Sequence, residues 1–101
     1  MEIDPQTTNR AVREILNQLV RQLPGYRWES ICTFSDGRGR TIIELNLYRS
    51  GGSRRIARIA YQLETGAILN YSYRSDLGKA PDSVVDLLLD IANAERARIL
   101  S

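Results

Sequence analysis

Histidine is absent from this sequence of 101 residues, and cysteine occurs once, as Cys32. Without histidine there is no Ser-His-Asp or Cys-His nucleophile arrangement and no imidazole ligand for a metal. No side chain remains whose ordinary pKa lies near neutrality. One cysteine excludes an internal disulfide framework and an all-cysteine zinc site. It also leaves Cys32 with no histidine to activate its thiol, so the residue reads as a small buried hydrophobe. Long apolar runs are missing as well. No aliphatic run exceeds three residues, as in Leu87-Leu88-Leu89, whereas a spanning helix needs roughly 20. The opening Met1-Glu2-Ile3-Asp4-Pro5 has neither the basic nor the apolar region of a signal peptide. The expectation is a cytoplasmic protein in a reducing environment, where a lone thiol is least troublesome.

What is present fits a folded domain. Apolar residues make up 43% and charged residues 26% of the chain, the ordinary range for soluble globular proteins and not that of disordered ones. A chain of this length buries roughly two-thirds of its unfolded surface, enough for one core. Residues 1–101 are therefore read as a single domain.

The first segment has helical periodicity. Ala11, Val12, Ile15, Leu16, Leu19, Val20 and Leu23 recur at three- and four-residue spacing, which places them on one stripe. Asp4-Pro5 suits an N-cap and first helical position, with Thr7 or Thr8 as other candidates for the cap, and Pro24-Gly25 ends the helix. The period then changes to two. Strands are predicted over 26–35, 40–49, 54–64 and 67–74. They are separated by Ser35-Asp36-Gly37-Arg38-Gly39, Ser50-Gly51-Gly52-Ser53 and Thr65-Gly66. Connections this short join antiparallel hairpins, because parallel pairing requires a crossover of about a dozen residues. After a polar connector over 75–80, Pro81 opens a second helix, with Asp82, Asp86 and Asp90 as an acidic ridge near its N-terminal end. The fold class that follows is α+β: a two-layer sandwich of N-terminal helix, four-stranded antiparallel meander and C-terminal helix.

Alternation sorts the strands into two faces. Ile43, Leu45, Leu47, Ala57, Ile59, Tyr61, Leu63, Leu69, Tyr71 and Tyr73 take the helix-covered face, joined by Trp28, Cys32 and Phe34. The outer face receives Ile42, Glu44, Asn46, Tyr48, Ile56, Arg58, Ala60, Gln62, Ile68, Asn70, Ser72 and Arg74. That mixed surface reads either as a solvated face or as one that meets a protein or single-stranded nucleic acid. In the last helix, Val84, Val85, Leu87, Leu88, Ile91, Ala92 and Ile99 form an apolar arc wider than a helix covering one sheet face needs.

Charge is uneven along the chain. The formal net charge is +2, yet residues 38–74 hold seven arginines against Glu44 and Glu64, a net of +5. Residues 1–37 carry −1 and residues 75–101 carry −2. Thirteen arginines accompany a single lysine; guanidinium forks bind carboxylate or phosphate bidentately, although a compositional bias gives the same ratio without any function. The candidate binding residues, for protein or nucleic acid, are Arg38, Arg40, Tyr48, Arg49, Arg54, Arg55, Arg58 and Arg74.

Enzymatic motifs do not emerge. Gly37-Arg38-Gly39-Arg40 lies between two strands and opens no helix, so it is hairpin chemistry and not a phosphate loop. The acidic ridge of the last helix supplies carboxylates along a line and cannot surround a cation. No catalytic residue, metal or cofactor is expected. The order helix, strands, helix loosely resembles that of double-stranded RNA-binding domains, but those have three strands and a lysine-rich opening to the last helix. Here that helix opens with Pro81-Asp82-Ser83 and the acidic ridge, which repels a phosphate backbone, and the resemblance is set aside. The expected function is a small non-catalytic binding, adaptor or regulatory domain that acts through protein contacts as a homodimer. The broad apolar arc and the outer isoleucines motivate self-pairing. The alternative is a nucleic-acid-binding module that uses the arginine-rich hairpins and the open sheet face.

Overall fold

A computed structural model describes residues 3–35, 37–73 and 82–100. The expected connector over 75–80, together with Arg74 and Pro81, lies outside the described residues. Helix α1 spans Pro5–Gln22. Asp4 caps it, accepting a hydrogen bond from Thr7 N at 2.8 Å and another from the Thr7 hydroxyl at 3.1 Å. Those bonds favour the charged carboxylate and hold its pKa below the ordinary value. At the other end Leu23 N still donates to Leu19 O, and Tyr26 N then donates to Leu23 O as the chain turns. Ala11, Val12, Ile15 and Leu19 are buried, while Val20 is 60% exposed. The expected stripe is thus narrower than drawn. Val20 lies roughly 100° around the helix from Leu19, on the flank of the apolar face.

The strands are β1 (Tyr26–Ser35), β2 (Thr41–Arg49), β3 (Arg55–Gln62) and β4 (Ile68–Tyr73), and they form an antiparallel sheet in the order β1-β2-β3-β4. Helix α2 spans Asp82–Leu100. The predicted meander and its flanking helices are what the chain forms. Both helices and the inner sheet face share one core. Val12, Ile15 and Leu19 of α1 and Val84, Leu88, Ile91 and Ala92 of α2 close over Trp28, Ile43, Leu45, Leu47, Ile59 and Tyr61. Leu19, Leu47, Ile59 and Leu63 are each 0% exposed, and such side chains contribute roughly 1.5–3 kcal/mol apiece.

Each strand pair contains one irregularity, and each reassigns residues that simple alternation had placed. Ser30 faces Leu45 but Cys32 faces Glu44, so Ile31 is an extra residue in β1. Cys32 and Phe34 therefore stand in register with the outer-face positions Glu44 and Ile42, not with the inner ones. Between β2 and β3, Leu47 faces Ala57 while Tyr48 faces Arg55. Ile56 is the extra residue there; it is 2% exposed and belongs to the core instead of the outer face. Between β3 and β4, Ala60 faces Asn70 and Tyr61 faces Ile68. Ile68 thereby packs on the core, and Leu69, expected inside, is 42% exposed. A bulge places two residues opposite one and shifts the alternation beyond it.

The outer face is open only in part, at Asn70 and Ser72 of β4. Ile42, Asn46 and Ala60 are buried and Glu44, Tyr48, Arg58 and Gln62 half-buried. The broad arc of α2 is likewise occupied within the chain: Leu87, Leu89 and Ile99 pack partly buried against the core on either side of Val84, Leu88 and Ile91.

Candidate binding site

A meander alternates its connections between two ends of the sheet. The β1–β2 and β3–β4 turns share one end, here the turn end. The β2–β3 loop shares the other, the loop end, with Gly25, whose carbonyl accepts from Ser50 N at 3.1 Å. The candidate arginines accordingly divide. Arg38 and Arg40 stand at the turn end, whereas Arg49, Arg54 and Arg55 stand at the loop end. Strand β2 separates them by about 25 Å at roughly 3.3 Å per residue, so they do not make one patch. Arg58 lies between, on the outer face, where its Nη2 donates to Glu44 Oε2 at 2.9 Å. Its charge is matched inside the molecule. Opposite Arg58 in the ladder is Asn46, and the buried Asn46 Oδ1 and Arg58 Nε have no hydrogen-bond partner among the described residues. Arg74 is outside the described residues.

The loop end gathers more than the sequence reading assigned to it. Tyr26 pairs with Arg49 and Arg27 with Tyr48 across β1 and β2, while Tyr48 faces Arg55 on its other side. The Arg27 guanidinium lies 4.2 Å from the centre of the Tyr48 ring, and that of Arg49 lies 5.9 Å from the Tyr26 ring. Both are cation–π distances. Arg27 also pairs with Glu29 and donates from Nη2 to Gly52 O at 3.0 Å. Tyr26 and Arg27 were missed because Arg27 falls in a stretch of net negative charge. The signal that finds them is hairpin register, which places them beside Arg49 and Tyr48.

The loop itself is a tight turn. Gly52 N donates to Arg49 O at 2.9 Å, and Gly51 adopts φ +79°, a conformation that penalises any residue with a Cβ. Beside it is a depression of about 390 Å³ lined by Arg49, Gly51, Gly52, Ser53, Arg54 and Ile56. Arg49, Arg54 and Arg55 are exposed. Among the described residues none of the three pairs with a carboxylate. Arginine charge left unmatched at the rim of a concave surface attracts anions, and it does so with little rearrangement.

The turn end is organised differently. Glu64 accepts from Thr41 N at 2.7 Å, and its carbonyl accepts from Arg96 Nε at 3.0 Å. Tyr61 donates its hydroxyl to Asn93 Oδ1 at 2.7 Å. Burial of the Tyr61 phenol raises its pKa above the ordinary value, partly opposed by the Arg96 charge. A second depression, of about 240 Å³, lies where the start of α1 meets the end of α2, lined by Thr7, Arg10, Ala11, Glu95, Arg98 and Ile99. There the buried Glu95 is paired with Arg98.

Among the described residues no three of His, Cys, Asp and Glu come together as a metal site, and no helix is long and apolar enough to cross a membrane. No family model matches the chain, and neither a curated protein nor a solved structure matches it.

Proposed function

We propose that this protein is a small non-catalytic binding domain that acts through protein–protein contacts, with an acidic segment of its partner docking at the loop end of the sheet. The observation that carries this reading is the pair Arg49 and Arg54 at the loop depression, with Arg55 next in the chain, all three exposed and without a carboxylate partner among the described residues. Guanidinium groups of this kind form forked hydrogen bonds with carboxylates. The nucleic-acid reading draws on the same charge, but it also needs an aromatic ring on which a base stacks. Tyr48, the ring assigned to that task, already has Arg27 over one face, and this tips the balance toward a protein ligand.

Self-pairing as a homodimer is the second form of this reading. It is favoured by the large apolar side chains exposed among the described residues, Val20, Ile31 and Leu69. Light scattering across micromolar concentrations separates the forms, a doubled mass supporting self-pairing and a single-chain mass leaving the partner heterologous.

Fluorescence anisotropy with a short labelled peptide rich in aspartate and glutamate, run beside single- and double-stranded oligonucleotides at two salt concentrations, tests the main proposal. Peptide binding that weakens with salt and is lost in the Arg54→Glu/Arg55→Glu variant supports it. No peptide binding at low salt, or tighter binding of an oligonucleotide, overturns it.

A further inference from the structure

We propose that two copies of this chain join edge to edge through β4, in antiparallel register, to make one continuous sheet. The inference rests on self-pairing, the second form of the proposed function, and gives it an interface; the arginine loop takes no part. Among the described residues β1 and β4 are the two edges of the sheet. Alternate N–H and C=O groups of an edge strand point away from its only neighbour. The two edges differ in how they are guarded. Charged side chains and bulges are the usual protection against strand addition. β1 has both: Arg27 and the exposed Glu29 stand in its first half, and the bulge at Ile31 breaks its ladder in the middle. β4 has no charged residue, proline or glycine over Ile68–Tyr73. Its bulge lies at Leu69, near the start. From there Asn70, Tyr71, Ser72 and Tyr73 continue opposite Ala60, Ile59, Arg58 and Ala57 without interruption. Leu69, Asn70 and Ser72 are exposed.

The strand complements itself. Residues opposite each other in a ladder must point to the same face, so an antiparallel two-fold passes between one residue and its own copy. Placed at Tyr71, the axis centres the ladder on the uninterrupted stretch. Asn70 of each copy then faces Ser72 of the other, an amide opposite a hydroxyl, and Tyr71 faces Tyr71. Polar and aromatic cross-strand pairs of this kind stabilise sheets. Leu69 falls at the end of the same ladder, where the second strand covers it. The charge pattern selects the antiparallel arrangement. β4 brings no like charges together, and the two-fold sets the loop end of one copy beside the turn end of the other. The arginine loops join β2 to β3, one strand in from the shared edge. They therefore lie at opposite ends of the joined sheet. A parallel pairing would set them side by side, where like charges repel.

The experiment is sedimentation equilibrium of the intact protein from a few to several hundred micromolar, at low and at high salt. The parent chain is expected to approach twice its monomer mass at both salts, because backbone bonds and neutral side chains hold the pair. Asn70→Lys/Ser72→Lys sets lysine against lysine at both cross-strand positions and should raise the dissociation constant at least about tenfold. Asn70→Glu/Ser72→Glu should do the same. Mixed in equal amounts, the two variants set lysine against glutamate and should associate at low salt at least about tenfold more tightly than either alone. Association of the mixture also shows that both variants fold. A parent chain that stays single at every concentration overturns the β4 edge and self-pairing together, while the acidic-peptide measurement is unaffected. A dimer that survives in both variants, or that dissociates in salt, keeps self-pairing and overturns the β4 edge. Variants that stay single when mixed overturn the antiparallel register and the proposal with it.

Discussion

At the turn end of the sheet, Glu64 accepts from the backbone of Thr41, Arg96 donates to the Glu64 carbonyl, and Tyr61 reaches Asn93 on α2. At the loop end, Arg49 and Arg54 line a depression, and these two and Arg55 meet no carboxylate among the described residues. Both ends carry charged and aromatic side chains on short connections, so composition alone does not tell them apart. What differs is where the polar valences go. One end spends them on fastening α2 to β3; the other directs them outward. The proposed docking reading rests on arginine charge that the described residues leave without a carboxylate.

Substitutions at the two ends should therefore have opposite signatures, and the largest effect belongs to the fastened end. Leu63→Ala removes a side chain that is 0% exposed and should lower stability by about 2–5 kcal/mol, measured by urea unfolding. Next comes Gly66→Ala. Gly66 has φ +77°, and a Cβ there would lie 2.7 Å from Asn93 Oδ1. Strain and displacement of the Tyr61–Asn93 bond together should cost about 1–3 kcal/mol. If Gly66→Ala melts like the parent protein, the close seating of α2 on this turn is wrong.

Tyr61→Phe deletes the bond to Asn93 alone and should cost about 1 kcal/mol. It also carries a pH signature. The folded-state pKa of Tyr61 is raised by burial, so the protonated phenol is favoured in the folded protein. Its contribution is complete below about pH 10, the ordinary tyrosine value, and is lost as pH rises through the raised folded value. Tyr61→Phe should flatten the alkaline limb of the stability–pH curve, and an unchanged limb would assign that loss to another group. The smallest effect on folding is expected at the loop end. Arg54→Glu/Arg55→Glu should leave stability within about 0.5 kcal/mol of the parent while abolishing acidic-peptide binding. A large loss of stability in this variant would show that these arginines serve the fold.

How far these contrasts can be read from the sequence depends on the element. The helix stop at Pro24-Gly25, the Asp4 cap and the four strands are local signals, and local reading finds them. Ile56, Ile68 and Leu69 are misassigned because strand alternation carries no mark of an extra residue. A bulge is decided by how two strands fit, and neither strand contains that information separately. The broad arc of α2 is read as apolar, and part of its breadth has a use within the chain that the sequence pattern does not show. Leu87 and Leu89 face neighbours supplied by distant parts of the same chain. At the site, Tyr48, Arg49, Arg54 and Arg55 follow from one hairpin. Arg27 requires the register of a second strand pair, and the separation of Arg38 and Arg40 from the rest requires the meander to be followed from end to end.

The depression at the opposite pole, lined by Thr7 and Arg10 from the first turns of α1 and by Arg98 and Ile99 from the last turns of α2, has a consequence for attachment. The described chain enters and leaves at neighbouring points, on the pole away from the arginine loop. Such a domain can be spliced into a surface loop of a host protein, or tethered to a solid support through either helix, with the arginine loop still facing the solution.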